Sequence, residues 1–326
     1  MKATYGYAKQ GAGYGYSGVK GLNALIATVS SPLAAPVIVA ARLRKGGANS
    51  ARGAGRLVAD GLRAARAAGA GGPRGTGLVI LRADSAFYGY EVLAAARRAG
   101  AHFSVTARSS PAITRAIASI DESSWQPIHY PNAVFDEQAQ CLVSDAEIAE
   151  VPYTAFTSRR KAEQITGRLL VRRVRRLNPT TSTSTSTDGQ AVEQGELFAI
   201  YRYHSVFTDS PLILVQAEKD HRAHAIIEQV HADLRSGPLA HLPSGSFSAN
   251  SAWLALAVIA FNLTRAAGCL ASTFHAKATT GTIRAQLINV PVRLARSARR
   301  LHLHLPERWP WEQAWTRLFQ ATLAAP

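Results

Sequence analysis

The chain has 326 residues, with 37 Lys and Arg against 21 Asp and Glu, which gives a net charge of +16 at pH 7. Such an excess of positive charge attracts polyanions, so nucleic acid is the expected partner. Cys141 and Cys269 support neither a disulfide framework nor a cysteine-based zinc site, and a cytoplasmic location is expected. The most apolar run, 252–263, is shorter than the ~20 residues that cross a bilayer, so no membrane partner is expected.

The first third of the chain is predicted to be mixed α/β. Apolar, β-branched runs at 22–29 and 36–43 flank a short Ser-Ser-Pro segment and predict a hairpin. Apolar side chains recur at helical period over 50–69, before a glycine-rich stop. The apolar run 77–84 is followed by a helical stretch and a second apolar run at 102–107, which together predict a β-α-β unit.

The rest of the chain changes character twice. Residues 109–216 are predicted to be a β-rich insertion, and a Ser/Thr tract near 180–190 is predicted to be a disordered loop because it has little to bury. Helical periodicity returns at Asp220. We therefore predict a core helix at 217–236 and a helical C-terminal region at 237–326.

Asp84 is the first candidate functional residue. It ends the predicted strand that begins near Gly77, and in open α/β sheets the carboxyl ends of parallel strands form the ligand-binding edge. The alternative is that Asp84 or Ser85 caps the helix that follows. Position alone leaves both interpretations open.

Glu228 is the second candidate, on a predicted helix over 221–235. One face of this helix is apolar, and a second face carries polar side chains at three- and four-residue steps. The apolar face consists of Ile227, Val230 and Leu234, and the polar face consists of His221, His224, Glu228, His231 and Arg235. The polar face is compatible with a solvated surface, a functional site or a zinc site, although the His-Glu-x-x-His arrangement of zinc enzymes is absent.

Basic residues form two clusters that are candidates for DNA contacts. Contacts of this kind with phosphates position a duplex without reading its sequence, and a solvated run of charge is the alternative. The cluster in the insertion contains Arg159, Arg160, Lys161, Arg168, Arg172, Arg173, Arg175 and Arg176. The cluster near the C-terminus contains Arg284, Arg293, Arg296, Arg299 and Arg300.

Taken in chain order, the Asp84 segment, the β-rich insertion and the Glu228 helix resemble the motifs of bacterial insertion-sequence transposases of the DDE class. Arg82-Ala-Asp84-Ser-Ala-Phe is similar to the second-Asp motif of that family. The segment with Glu228 is similar to its final-acid motif, which is Tyr, two residues, Arg, three residues, Glu, six residues and a basic residue. The segments that carry the resemblance are Tyr14-Gly-Tyr16, Gly18 to Ala27, Thr154 to Ser158, His221 to Arg235 and Phe261 to Arg265.

The resemblance implies an RNase H-like α/β fold, a mixed sheet flanked by helices, with residues 1–108 as the first part of the catalytic core. It implies that Asp84 and Glu228 are catalytic ligands of Mg²⁺, with Mn²⁺ as a substitute, in DNA nicking and strand transfer. Double-stranded DNA at transposon ends and a homodimer on DNA are the implied partners. The predicted DNA-binding residues are Arg235, His224, Arg222, Arg159, Arg160, Lys161, Arg172 and Arg173.

The sequence departs from the family pattern in four ways. His221 stands where the family has Tyr, His224 where it has Arg, and Arg235 where it has Lys. The fourth departure is that residues 1–59 contain no Asp or Glu. We therefore expect an N-terminally truncated transposase that lacks the first catalytic Asp and is inactive as given.

Two alternatives to this prediction remain. The first is a non-catalytic DNA-binding remnant of a transposase, which would use its basic residues to occupy transposon ends. The second is an unrelated basic nuclease or zinc protein.

Overall fold

The structure is a computed structural model that describes residues 2–3, 8–15, 18–72, 77–136, 141–175 and 201–324. The Ser/Thr tract predicted as a disordered loop, Tyr16 and Arg176 lie outside the described residues. The strands are β1 (Lys2–Ala3), β2 (Gly13–Tyr14), β3 (Lys20–Val29), β4 (Val37–Arg44), β5 (Ile80–Ala83), β6 (His102–Thr106), β7 (Gln126–Asp136), β8 (Cys141–Ala155), β9 (Ile165–Arg175), β10 (Tyr201–Thr208), β11 (Arg293–Ser297) and β12 (Arg300–His304). The helices are α1 (Ala54–Ala67), α2 (Tyr90–Arg98), α3 (Pro111–Ala118), α4 (Leu214–Arg222), α5 (Ile226–Arg235), α6 (Phe247–Ala271), α7 (Thr273–Lys277), α8 (Thr280–Ile283) and α9 (Glu312–Leu323).

The chain divides into two compact units. The central unit comprises Leu78–His224, and the terminal unit comprises Met1–Gly77 and Ala225–Pro326. The division predicted from the sequence, at residues 108, 216 and 236, stays a prediction.

The central unit is built on a six-stranded mixed sheet in the order β5-β6-β10-β9-β8-β7. Strands β5 and β6 are parallel, and α2 connects them, as the predicted β-α-β unit requires. The remaining neighbours are antiparallel, so the described residues 126–136, 141–155, 165–175 and 201–208 all lie in β-strands. The core of the unit includes the fully buried Leu93, Phe103 and Phe207.

The terminal unit contains the hairpin predicted from the first apolar runs. Strands β3 and β4 pair antiparallel, with a register shift between Ala27 and Thr28, and α1 follows them. Helix α5 buries Val230 and Leu234 in one apolar cluster with Leu22 of β3 and Phe261 of α6. The apolar stripe predicted for the helix that carries Glu228 is therefore confirmed.

Helix α6 is the central helix of the terminal unit. Its length and apolar composition would allow it to cross a membrane, but a third of its most apolar window is buried inside the protein. The Asn262 side chain holds both backbone groups of Ile38, since Nδ2 donates to Ile38 O at 2.7 Å and Oδ1 accepts from Ile38 N at 2.9 Å. The buried Arg265 guanidinium donates to the carbonyls of Ala276 and Ala278. These contacts make α6 part of the packed unit.

The described part of the C-terminal region contains helices α6 to α9 and also an antiparallel hairpin of β11 and β12. The helical region predicted over 237–326 does not include this hairpin. Pro291 lacks a backbone N–H, and Leu301 to His304 alternate leucine with histidine at the period of a strand. Taken together, the mixed α/β architecture is confirmed and is compatible with an RNase H-like fold.

Candidate functional site

Asp84 is exposed at the carboxyl end of β5, directly after the parallel pair of β5 and β6. One of its carboxylate oxygens, Oδ1, accepts a hydrogen bond from the backbone N–H of Ser85 and caps the 3₁₀ turn Ser85–Phe87. Asp84 is therefore a cap, but of this short turn and not of the predicted helix α2, whose N-cap is Gly89. Capping occupies one carboxylate oxygen, so the exposed Asp84 still presents acceptor positions to solvent.

Two arginines fix the backbone on either side of Asp84. Arg82 donates to the backbone oxygen of Asp220 at 2.8 Å and pairs with its carboxylate at 3.5 Å, which ties β5 to α4. Arg108 donates to the carbonyl of Ser85 at 2.8 Å, just after Asp84. Sequence reasoning missed Arg108, because its partner is a backbone atom 23 positions away.

His221 is buried in the central unit and does not belong to an exposed polar face. Its Nδ1 lies 3.0 Å from Ser104 Oγ, and its Nε2 lies 3.0 Å from Thr106 Oγ1. Burial, with a smaller contribution from the nearby His224 ring, lowers the pKa of His221 to about 3. His221 is therefore neutral at pH 7, with both ring nitrogens occupied by hydroxyl groups, which corrects its place on the predicted polar face.

The helix predicted over 221–235 is two helices joined by a short turn. Helix α4 ends at Arg222, Ala223–Ala225 form a 3₁₀ turn, and α5 starts at Ile226. In that turn, His224 Nδ1 lies 2.6 Å from the backbone oxygen of His221, and the two rings are 4.7 Å apart. His221 and His224 belong to the central unit, whereas Glu228, His231 and Arg235 belong to the terminal unit.

Glu228 is exposed in the first turn of α5, where the positive end of the helix dipole favours a carboxylate. At the other end of α5, Arg235 is exposed, and its Nε donates to the backbone oxygen of His231. A buried residue of the same helix anchors it, because Asp233 Oδ2 accepts from the backbone N–H of Thr280 at 3.0 Å. This anchor fixes the helix that presents Glu228.

Arg222 has partners inside the central unit. Its Nε lies 2.7 Å from Oε1 of the buried Glu218, and its guanidinium lies 4.4 Å from the centre of the Tyr130 ring. Tyr130 also donates to the same Glu218 oxygen at 3.4 Å. Sequence analysis missed the buried Glu218, because nothing in its local pattern distinguishes it from a surface acid.

The turn between β8 and β9 presents three of the predicted DNA-binding residues. Arg159, Arg160 and Lys161 are all exposed there, and Arg159 lies 4.4 Å above the Tyr90 ring and 3.8 Å from Glu163. The preceding Phe156 adopts φ +62°, a left-handed conformation that is unfavourable for a residue with a side chain. Stacking on Tyr88, with ring centres 5.6 Å apart, holds Phe156 there.

Arg173 is buried, whereas Arg159, Arg160 and Lys161 of the same basic cluster are exposed. It donates to Glu147 Oε2 at 2.7 Å and to both carboxylate oxygens of Glu122. Its guanidinium lies 4.2 Å from the centre of the Trp125 ring and 4.4 Å from that of Tyr201. The two carboxylates raise the pKa of Arg173 above its usual range. These carboxylates engage Nε and both terminal nitrogens of Arg173, and its assignment as a DNA-binding residue stays a prediction.

A cavity of about 690 Å³ adjoins this arginine in the central unit. Its walls include the aromatic rings of Trp125 and Tyr203 and the apolar side chain of Ile113.

Arg172, which precedes Arg173 in β9, is half-buried. Burial raises the pKa of Tyr130, and Arg172 lowers that pKa by a smaller amount.

The described residues do not supply a complete metal site. No group of three or more His, Cys, Asp and Glu side chains in the described ranges is close enough to hold a metal ion. Asp84 lies in the central unit and Glu228 in the terminal unit, and each stands as an exposed single carboxylate within its own unit. The zinc alternative likewise has no supporting cluster among these residues, and His221 is occupied by hydroxyl partners.

The order of features along the chain is a strand-end Asp, a β insertion and a helix with an exposed Glu, as predicted for a DDE transposase. A comparison with family models identifies the class. The model described as Transposase DDE domain group 1 matches residues 34–325, and the chain belongs to this family. No curated protein matches the chain. The family implies DNA as the substrate and divalent metal ions as the general cofactor of its members.

Proposed function

We propose that this chain is a DNA transposase of an insertion sequence that has kept two of its three catalytic acids. Asp84 and Glu228 are the two, and their family role is to hold Mg²⁺, with Mn²⁺ as a substitute, during nicking and strand transfer at transposon ends. The family match over nearly the whole chain supports this proposal. The exposed position of both carboxylates also supports it.

We propose further that the polypeptide does not itself cut DNA. Residues 1–59 contain no Asp or Glu, and Asp60 on α1 forms ion pairs with Arg42 of β4 and with Arg63. Two carboxylates bind divalent ions less well than three, and a two-metal site needs an acid that bridges ions about 4 Å apart.

The test is a nicking assay with a supercoiled plasmid that carries the ends of the element encoding the chain. We expect the unmodified chain to nick no faster than Asp84→Asn or Glu228→Gln in Mg²⁺ or in Mn²⁺. Metal-dependent nicking by the unmodified chain that both variants abolish would contradict the proposed inactivity. The family role of the two acids would then be supported.

A non-catalytic DNA-binding remnant is the alternative function. Three exposed cations in the β8–β9 turn favour DNA binding in either case, whereas Arg222 and Arg173 are engaged inside the central unit. Arg235 and His224 complete the proposed DNA-binding set. The DNA sequence upstream of Met1 separates the two functions, because an in-frame extension with an Asp on an apolar strand favours an enzyme and a stop codon favours a remnant.

We also propose a homodimer on DNA that forms through one exposed face of α6. Its side chains follow the alternating four- and three-residue spacing of a coiled-coil seam, which selects a second helix as partner. The α6 seam consists of Ala252, Leu256, Ile259, Leu263, Ala266 and Leu270, all of them exposed. Leu256 is 59% exposed and Leu263 is 66% exposed, and the seam is about 27 Å long at 1.5 Å per residue.

A second copy of the chain fits the α6 seam better than a membrane does. Helices that lie on membranes carry Lys and Arg beside their apolar face, whereas the only charged residue of α6 is the buried Arg265. We accordingly propose that the chain is cytoplasmic.

Sedimentation velocity tests the dimer. With and without DNA it should show a dimer that Leu256→Glu/Leu263→Glu converts to a monomer, whereas Leu33→Glu, in an exposed loop, should leave the dimer intact. A monomer under both conditions, or binding of the chain to lipid vesicles, would contradict the dimer.

A further inference from the structure

The hairpin of β11 and β12 is the most exposed regular element of the described terminal unit. Nine of its ten strand residues are exposed, and the exception is the half-buried Ala295. The two strands form a sheet of their own. An isolated two-stranded hairpin is at best marginally stable in water, so this element is a natural candidate for a surface that a partner covers.

The register of the hairpin sorts its side chains onto two different faces. Arg293 lies opposite His304 and Ser297 lies opposite Arg300, and because side chains alternate along a strand these pairs share one face. The basic face consists of Arg293, Ala295, Ser297, Arg300, His302 and His304. The leucine face consists of Leu294, Arg296, Leu301 and Leu303.

The positive charge of the hairpin has no acidic counterpart nearby in the sequence. Residues 234–306 contain no Asp or Glu, while the hairpin and its turn contain four arginines. Among the ion pairs of the described residues, none includes Arg293, Arg296, Arg299 or Arg300. An unpaired, exposed row of guanidinium groups is suited to a polyanion, and it gives affinity through release of counterions.

We propose that this hairpin is a DNA-binding ribbon whose basic face enters the major groove of duplex DNA, where its arginines contact the phosphates that flank the groove. Two strands about 4.8 Å apart form a ribbon that a major groove about 12 Å wide can admit. Each strand spans about 17 Å at 3.4 Å per residue, so Arg293 and Arg300 reach different phosphates. The identification of DNA as the ligand rests on the proposed function. The hairpin is separate in sequence from the basic turn at 159–161.

The turn of the hairpin adds one more arginine, Arg299, next to Arg300 at the start of β12. Ala298 adopts φ +52°, which is a left-handed conformation that glycine takes more easily. Arg299 and Arg300 follow it directly. Ala298→Gly therefore keeps every charge and relieves the backbone, and it provides a control that separates the shape of the hairpin from its charge.

A lipid surface is the competing partner, because exposed leucines beside arginines also bind membranes. Leu301 is 74% exposed on the leucine face. When that face contacts a bilayer, however, Arg293 and Arg300 on the opposite face point away from the headgroups. Of the arginines in the two strands, only Arg296 lies on the leucine face, and the larger share of the positive charge, with Arg293 and Arg300 beside His302 and His304 on the other face, favours DNA.

The experiment measures binding of the full chain to a fluorescent DNA duplex over a range of salt concentrations. Arg293→Gln/Arg300→Gln should weaken binding at 0.1 M salt by about 10- to 100-fold and lower the slope of log Kd against log salt by about 2, since each phosphate contact contributes about 0.9. Leu301→Thr/Leu303→Thr, on the other face, should stay within about twofold, as should Ala298→Gly. Circular dichroism of every variant shows that the fold is kept.

The outcomes distinguish the ribbon from the proposed function. If the basic-face variant binds like the unmodified chain while Arg159→Gln/Arg160→Gln/Lys161→Gln loses affinity, the ribbon is overturned and DNA binding stands. If the unmodified chain shows no salt-dependent binding to duplex DNA, the proposed function itself fails. Binding to anionic vesicles that the leucine-face variant abolishes, with DNA affinity unchanged in the basic-face variant, would assign the hairpin to a membrane surface instead.

Discussion

The hydroxyl of Ser104 lies 3.0 Å from Nδ1 of His221, a ring that is buried in the central unit and kept neutral there. A protonated imidazole would have to donate from both nitrogens in an environment that disfavours charge. Position 221 therefore couples the stability of the fold to pH.

The first prediction is that the folded chain loses stability as the pH falls below about 6.5. Burial lowers the pKa of His221 to about 3 in the folded state, so between these two values only the unfolded chain takes up the proton. At pH 5 the loss from this residue is about 2 kcal/mol at 1.36 kcal/mol for each pKa unit. Urea unfolding at pH 7.5, 6 and 5 measures this loss in the free energy of unfolding. In His221→Gln this part of the pH dependence should disappear, and an unchanged dependence would show that other groups cause it.

Local sequence patterns predicted the parts of the fold that depend on neighbours in the chain. The hairpin of β3 and β4, the β-α-β unit and the burial of Val230 and Leu234 follow from apolar spacing within single elements. The burial of His221 does not follow in this way. Its partner Thr106 is 115 positions away, and no helical pattern shows which strand will cover a polar face.

The basic cluster in the insertion also shows that local sequence patterns do not predict which residues are buried by distant partners. Arg160 is exposed in a turn, whereas Arg173 is buried between aromatic rings and two carboxylates. Charge counting treats these two residues alike. Only the pairing of β9 with β8, which places Glu147 opposite Arg173, distinguishes them.

The second prediction separates these two arginines by experiment. Arg173→Gln should lower the free energy of unfolding by about 1–3 kcal/mol, because it leaves Glu147 without its cation and removes the packing on two aromatic rings, and it should leave the salt dependence of DNA binding unchanged. Arg160→Gln is the matched control. It should leave unfolding unchanged within about 0.5 kcal/mol and lower the salt slope by about 1. The reverse pattern would place Arg173 at the DNA.

The third prediction concerns Asn262, which lies in one of the segments that resemble the transposase family. Its amide group satisfies both the N–H and the carbonyl of Ile38 on the edge strand β4. Asn262→Leu keeps the size of the side chain but leaves both backbone groups without a partner, so we expect a loss of about 2–3 kcal/mol in denaturant unfolding.

A control for Asn262 lies two positions further along α6. The Thr264 hydroxyl bonds only to the carbonyl of Ala260 within the same helix, so Thr264→Ala should change stability by less than about 0.5 kcal/mol. Equal effects of the two substitutions would mean that the contact with Ile38 does not hold β4 in place.

The fourth prediction uses a glycine of α6 where close packing opposes helix propensity. Replacing glycine with alanine inside a helix ordinarily stabilises it by about 1 kcal/mol. At Gly268, however, a Cβ atom would lie 2.6 Å from the backbone oxygen of His275 and 2.7 Å from Cδ1 of Ile283. Gly268→Ala should therefore destabilise the chain by about 1–3 kcal/mol, since the backbone oxygen cannot move aside without shifting α7.

Gly281 in α8 is the matched control. A Cβ atom added there would have Thr279 Oγ1 as its nearest neighbour, at an ordinary contact distance of 3.7 Å. Gly281→Ala should raise the melting temperature while Gly268→Ala lowers it, and a rise in both would show that α6 does not pack this closely against α7 and α8.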